Sequence, residues 1–341
     1  MNIKYILTFF HFFISPILFA QIISFTPQES GTDANLRGLW VVNEQIVWAS
    51  GNKGTILKTE NGGQTWTKIN VKGFEDKDFR DIVAFNAQKA IIINAGSPAY
   101  ILKTTDGGSN WRVVYQDTAK TAFLDDVGFF DEQNGFVFGD PNSEGYFTLL
   151  QTTDGGETWQ NIGKKLPKAQ NNEAGFAASG TIMRFKNPYI WIGTGGGEQS
   201  RVLFSPDKGN TWQAIGTPIL AGKNSQGIFS MAFKDKKNGV AVGGDYTQAQ
   251  NSEKTAIYTK DAGKTWNLSK TMPKGYRSSV AFATKNQYVC VGTNGIDFSK
   301  NGGKDWVNFS SEGFNTVRFA NNSKIGWVVG SKGRIAKISI K

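Results

Sequence analysis

The chain has 341 residues, a formal net charge of +10 at neutral pH, 13% aromatic residues, 40 glycines and nine prolines. With one histidine and one cysteine, an internal disulfide is excluded and histidine-dependent catalysis has almost nothing to draw on. The composition suits many short strands joined by tight turns, and no segment carries the periodicity of a long amphipathic helix.

Residues 1–20, MNIKYILTFFHFFISPILFA, hold an early charge at Lys4, an apolar stretch and a small residue, Ala20, at a suitable cleavage position. The pattern predicts a secretory signal peptide, leaving residues 21–341 as one exported domain, periplasmic or secreted, with no transmembrane segment. Cleavage after Ala20 removes His11, so the mature chain lacks the histidine of a Ser-His-Asp triad, a Cys-His pair or a histidine-ligated zinc. Cys290, inside the apolar run QYVCVGT, reads as a small buried hydrophobe. No catalytic residue, cofactor or metal site is expected. The lysines are scattered and no nucleic-acid motif occurs, which speaks against nucleic acid as a partner.

From residue 21 onward one pattern recurs. QIISFTP (21–27) reads as an isolated strand. The first full unit follows, with apolar runs ending in QIVWASG (45–51) and then the nonapeptide KTENGGQTW (58–66). Five more boxes follow: KTTDGGSNW (103–111), QTTDGGETW (151–159), FSPDKGNTW (204–212), YTKDAGKTW (258–266) and FSKNGGKDW (298–306). A glycine-ended apolar run precedes each box, and a seventh run, IGWVVGS (325–331), leads into RIAKISI (334–340). The Trp-to-Trp spacings of 45, 48, 53, 54 and 40 residues match one four-stranded propeller blade per unit. The seventh unit has three strands, and the strand near residue 21 supplies the fourth. The expected fold is therefore all-β, a seven-bladed propeller whose ring is closed by its N-terminal strand.

In this architecture the boxes are joints. Asp106, Asp154, Asp207 and Asp261, with Asn61 and Asn301 standing in, bend the chain between third and fourth strands, because a short polar side chain bonds nearby backbone N–H groups and glycine accepts positive φ. The box Trp is expected to bury its ring between blades. The glycine-rich IWIGTGGGEQS (190–200) is not a dinucleotide turn: the third glycine of that fingerprint would fall at Glu198, and a strand follows rather than a helix.

The boxes, of form [ST]-x-[DN]-x-G-x-[TND]-W, resemble the Asp-box, or bacterial neuraminidase, repeat. The longer unit ILKTTDGGSNW, with its preceding glycine-ended strand, is similar to the photosystem II stability and assembly factors of plants and cyanobacteria. That resemblance implies a WD40-like seven-bladed propeller outside the cytoplasm that binds other proteins and helps assemble membrane complexes. It makes a protein client the expected partner and a non-enzymatic scaffold or assembly factor the expected function. Asp-box propellers also include sialidases, so a sialidase-like glycosidase or a glycan-binding propeller is the alternative. Against it, LRGL, FRDI and YRSS all lack the proline of the aromatic-Arg-aliphatic-Pro signature that opens those enzymes.

Two asymmetries point to a binding face. The span from second to third strand is four or five residues in blades 1, 2, 6 and 7 but nine to thirteen in blades 3, 4 and 5. Long loops on a rigid ring are where binding resides. They nominate Asp140, Asn142, Glu144 and Tyr146 in blade 3, Glu198 and Arg201 in blade 4, and Asp245 and Tyr246 in blade 5, with Glu173 in the blade 3 to 4 connection (163–180), expected to project from the same face. The second asymmetry is an arginine sector. Arg37, Arg80 and Arg277 are read in one register of the innermost strands, facing the channel mouth, where guanidinium groups grip carboxylates.

Overall fold

A computed structural model describes residues 23–341, so the predicted signal peptide lies outside the described residues. The described chain forms seven four-stranded antiparallel sheets, six of them stepping outward in chain order from an innermost strand beside a central channel and the seventh taking its outermost strand from residues 23–28. The innermost strands are Leu36–Val41, Asp78–Ala84, Leu124–Phe129, Met183–Lys186, Gln226–Phe233, Ser279–Thr284 and Thr316–Phe319. No helix among the described residues is long and apolar enough to cross a membrane.

Burial explains the sequence pattern of each blade. Second strands such as Ala90–Ala95 and Gly239–Asp245 are buried along almost their whole length, because the neighbouring blades cover both faces, and they read as continuous apolar runs. Outermost strands such as Arg112–Asp117 are largely exposed. The glycine ending a second strand answers a close approach. At Gly51 a Cβ would lie 2.5 Å from the carbonyl oxygen of Asn35 on the entering chain, and at Gly139, Gly243 and Gly292 it would collide with the equivalent carbonyls of Phe123, Gly227 and Tyr276.

The ring closes as expected. Ile23–Gln28 lies antiparallel to Ile335–Ile340 as the outer strand of blade 7, with Ile23 opposite Ile340 and Gln28 opposite Ile335. Gln28 Oε1 then accepts from Trp327 Nε1 at 3.1 Å and from Trp66 Nε1 at 3.2 Å, tying the closing strand to blades 7 and 1 together. Near the channel, side chains on four inner strands cap a backbone N–H of the next blade. Asp81 accepts from Val127 N (2.7 Å), Asp126 from Met183 N (2.9 Å), Ser230 from Val280 N (2.8 Å) and Ser279 from Val317 N (3.3 Å).

The six boxes share one geometry. In the second, Thr104 Oγ1 donates to Asp106 Oδ1 (2.9 Å) and accepts from Gly108 N (3.0 Å), while Asp106 Oδ1 accepts from Asn110 N (2.9 Å). The hydroxyls of Thr59, Thr152, Ser205, Thr259 and Ser299 accept from Gly63, Gly156, Gly209, Gly263 and Gly303 in the same way. Gly108 has φ +91, and a Cβ there would press on Ile69 of the preceding blade. The boxes are joints, but their tryptophans are less buried than expected. Trp266 and Trp306 are buried, whereas Trp66, Trp111, Trp159 and Trp212 keep part of the ring in solvent. The box Trp sits just before the exposed outer strand, so one ring face packs on the adjacent blade while the other meets water. The completely buried tryptophans, Trp48, Trp191 and Trp327, belong to second strands.

The blade 3 to 4 connection departs most from expectation. Instead of projecting outward, residues 174–181 turn into the channel and plug it. Ala177, Ala178, Ser179, Gly180 and Thr181 are all buried. Gly175 N donates to Asp140 Oδ1 (3.0 Å), Arg37 Nη1 to Ala178 O (3.2 Å), Ser179 Oγ to Ser278 O (2.8 Å) and Arg318 Nη2 to Gly180 O (2.7 Å). The plug thus bonds to blades 3, 1, 6 and 7. The local sequence AGFAASG is small and apolar enough to fit. Gly180 has φ +57 and lies where a Cβ would collide with the Asp81 carboxylate, so no larger residue fits there.

Two outcomes follow from these contacts. A chain lacking residues 23–28 leaves Ile335–Ile340 as an unpaired edge, and its melting temperature should fall by on the order of 10 °C; an unchanged melt would mean that the ring holds without this strand. The backbone N–H of Asn110, with the Asn110 amide and the Thr104 hydroxyl, holds Asp106 down to about 2. A depressed carboxylate stabilises the fold above its unfolded value near 3.8 and stops doing so as pH falls through about 2. Asp106→Ala should therefore melt about 2 °C or more below the parent at pH 7, with the gap closing toward pH 2.

Candidate binding site at the channel mouth

The mouth on the side of the interblade loops is built by one residue from each of six blades, all but blade 4, and the register that places them is shifted from the sequence reading. A residue just ahead of the regular inner-strand pairing lies against the glycine that ends the second strand: Leu36 pairs with Gly51, Leu124 with Gly139 and Ile228 with Gly243. Arg277 occupies this same place in blade 6, its Cα 3.3 Å from where a Cβ on Gly292 would be. Arg37 and Arg80 come one residue later, at the irregularity between Leu36 and Gly38 and between Phe79 and Asp81. A one-residue offset in a strand reverses the side-chain direction.

Arg277 is therefore not part of the mouth. It is fully buried, pairs with Asp297 through Nε (2.5 Å) and Nη2, and donates to Tyr276 O (2.8 Å) and Asn294 Oδ1 (2.6 Å). The true equivalents of Arg37 and Arg80 are Asp125, Phe229, Ser278 and Asn315. All six line one cavity of about 420 Å³, with the plug as its floor. Phe176, Phe229 and Tyr276 were not singled out in the sequence, nor was Asp125 as a residue of the mouth. The signal that would have found Asp125 is its position one residue after Leu124, matching Arg37 after Leu36.

The cavity combines opposite charges with an aromatic wall. Phe176 of the plug stacks on Phe229, centroids 3.9 Å apart, and Tyr276 meets Phe229 edge-on at 4.8 Å. Tyr246 stands at the rim, 53% exposed, its ring 6.1 Å from Phe229. Arg80 Nε donates to Asp78 Oδ2 at 2.7 Å. Arg37 gives one bond to the plug and keeps a buried Nε with no partner among the described residues. Burial first, then the charge of Arg80, lowers the pKa of Arg37.

Asp125 is buried and neither carboxyl oxygen receives a hydrogen bond from a nitrogen or hydroxyl among the described residues. It lines the cavity wall together with Asp140, and the two carboxyls act on each other. Burial, then the charge of Asp140, pushes Asp125 well above the usual carboxylate range, and burial pushes Asp140 up to about 6.

The remaining nominated residues divide. Asp140, Asn142, Glu144 and Glu173 line a second, wider cavity of about 770 Å³ beside the mouth. Glu173, however, is spent on a two-pronged pair with Arg201, whose Nε donates to Oε1 at 2.8 Å. The pair braces the connection against blade 4. Tyr146 lies under the ammonium of Lys168, 4.6 Å from its ring centre. Glu198 is exposed and lines neither cavity. Asp245 is buried as the cap of a short turn; burial opposes its ionisation, but bonds from Thr247 and Gln226 outweigh this and hold it at about 2.

Fold and site together define the class, a seven-bladed Asp-box propeller with a plugged channel and a loop-lined mouth. Residues 147–331, more than half of the chain, match the Sortilin-Vps10 family model (sortilin, neurotensin receptor 3), and residues 21–121 match that of the photosynthesis system II assembly factor YCF48. The chain belongs to the Sortilin-Vps10 family and is a BNR-repeat propeller like the photosystem II assembly factors.

Solved structures agree on the fold. A structure described as YCF48 bound to D1 peptide superposes with a TM-score of 0.66 at 17% identity, covering 95% of this chain and 98% of that one. YCF48 from Cyanidioschyzon merolae gives 0.66 at 18% identity, covering 92% and 98%. The GH74 enzyme of Niastella koreensis gives 0.61 at 13% identity, covering 86% of this chain and 50% of that one. No protein of curated function is similar enough in sequence to count as a relative.

The raised acids of the mouth are testable. An acid with a raised folded value binds its proton more tightly folded than unfolded, so stability falls as pH rises from about 4 through about 6, the value for Asp140, and further as Asp125 ionises. Asp125→Asn removes the charge at nearly the same volume. It should melt about 2 °C or more above the parent at pH 8, with a shallower fall between pH 5 and 8; parallel pH profiles would refute the raised value of Asp125.

Proposed function

We propose that this chain is an exported, non-enzymatic scaffold that binds a protein client on the face carrying the upper channel mouth. The observation that carries this reading is the partnering of the mouth groups. Arg37 and Arg80 stand side by side at a rigid cavity, the Nε of Arg37 unpartnered among the described residues, with aromatic walls beside them. Guanidinium groups next to apolar rings suit a peptide segment that brings a carboxylate and an apolar neighbour, since Arg pairs with carboxylates in a fork and aromatic surface anchors interfaces. The adjoining 770 Å³ cavity, lined by Asn142 and Glu144, extends the surface on which such a segment could continue.

The likeness to the YCF48 propellers supports the client class. One of those structures holds a D1 peptide, and the family described as photosynthesis system II assembly factors includes a match to the first blades of this chain. By analogy the client is a protein, in the finer reading a membrane complex under assembly.

The test places a photo-crosslinking amino acid at Tyr246, on the mouth rim, and separately at Lys260, in a box turn on the opposite side, in cells that export the protein. A discrete protein adduct should form from Tyr246 and not from Lys260. In the Arg37→Gln/Arg80→Gln variant it should drop about tenfold, as expected for losing charge-assisted contacts, while the melting temperature stays within a few degrees. Equal adducts from both positions, or adducts indifferent to the arginines, would remove the mouth as the client site.

A further inference from the structure

The plug divides the channel, and the far side has a different chemistry. Beneath Gly180 a third cavity, of about 330 Å³, opens on the side of the box turns, walled by Trp40, Phe185, Phe233, Phe282 and Phe319. Four of its lining residues are cations, Arg184, Lys186, Lys234 and Arg318, and none is an acid. This contrasts with the upper mouth, where arginines and aspartates are mixed.

The two arginines are held in place with donors to spare. Arg184 gives Nε to Met231 O (2.7 Å) and Nη1 to Met183 O (2.6 Å). Arg318 gives Nη2 to Gly180 O (2.7 Å), and its guanidinium lies over the Trp40 ring, 4.3 Å from the centre. Arg318 Nε is buried and has no partner among the described residues. Backbone carbonyls and an indole thus fix both planar groups before anything binds, which lowers the ordering cost of recognition.

The charge is only partly compensated from behind. Asp81 and Asp126 stand on the inner side of the arginines, each already accepting a backbone N–H from the next blade. Burial, then the charge of Asp126, pushes Asp81 up to about 8. Even with both carboxylates charged, the two rim lysines remain. Lys234 bonds the neutral Asn286 at 2.9 Å, and Asp235, which lies near Lys186, is occupied by Asn238 and the Lys237 N–H. Asp235 therefore offsets part of this positive charge and leaves the rest.

We infer that the lower channel mouth is a binding site for a compact dianionic oxyanion, a phosphate group, gripped by Arg184 and Arg318 from within and by Lys186 and Lys234 at the rim. The reasons are the absence of a lining acid, the four convergent cations and the unpartnered Arg318 Nε. The surplus left after Asp81, Asp126 and part of Asp235 is that of the rim lysines, and a dianion answers more of it than a single carboxylate does. The site lies across the plug from the proposed client face and does not depend on it.

The test is titration of the full mature chain with inorganic phosphate, by calorimetry at low ionic strength and pH 7. The expected result is saturable binding to one site, with acetate at least tenfold weaker. Lys186→Gln/Lys234→Gln removes two rim charges without touching the bonds to the plug. It should weaken phosphate binding at least tenfold at an unchanged melting temperature, while Arg37→Gln/Arg80→Gln at the upper mouth should bind as the parent does.

Glycerol 3-phosphate in a parallel titration tells the source. Tighter binding than inorganic phosphate assigns an ester entering on a stem, and equal or weaker binding assigns the free ion. No saturation by about 10 mM phosphate, acetate binding as tightly, a rim variant of unchanged affinity, or a loss caused by the upper-mouth variant would each overturn the assignment.

Discussion

Each blade of this protein is a sheet with two apolar faces, and both must be covered by a neighbour. That requirement governs everything else, because a row of such sheets has two uncovered ends until it closes on itself. Closure here falls on Ile23–Gln28 pairing with Ile335–Ile340, reinforced by Gln28, whose one amide oxygen serves the tryptophans of two adjoining blades. The hydrogen bonds that Asp81, Asp126, Ser230 and Ser279 make to the following blade perform the same task at the inner edge. A blade therefore gains most of its stability from its neighbours.

A closed ring leaves a channel, and in this chain the channel is filled from within. Residues 174–181 are short of large side chains, so they fit beside seven inner strands and bond to the groups those strands present. Arg37 and Arg318, from adjacent blades, reach the plug from opposite sides, at Ala178 O and Gly180 O. The consequence is two shallow mouths in place of one open pore. The upper mouth carries arginine and aspartic acid around an aromatic wall, and the lower carries cations around aromatic rings. The structural and the recognising roles of Arg37 and Arg318 are therefore linked: the bond that fixes each guanidinium to the plug also holds it in the wall of a mouth.

The repeat was legible because its physics is local. A threonine or serine hydroxyl, an Asp or Asn and a positive-φ glycine make the box turn from neighbouring residues alone, and Thr104, Asp106 and Gly108 show it in nine letters. The apolar second strands, the blade count and the closing strand followed from spacing. The box tryptophans were harder to judge, since the burial of Trp111 depends on how far the adjacent blade extends over it.

What the sequence by itself determined was an all-β ring of seven Asp-box blades, the identity of its joints and the two regions, long loops and inner strands, in which recognition groups are found. What only the tertiary structure decided was which of those groups meet. Arg277 and Arg37 look equivalent in a string of letters, but one residue of offset at the inner-strand irregularity sends one into the blade and the other to the mouth. Glu173 and Arg201, 28 residues apart in sequence, neutralise each other, and the connection between blades 3 and 4 turns inward. Turns are set by contacts between near neighbours. The direction of a side chain in a sheet, and the path of a long connection, are set by surfaces that exist only once the ring has formed.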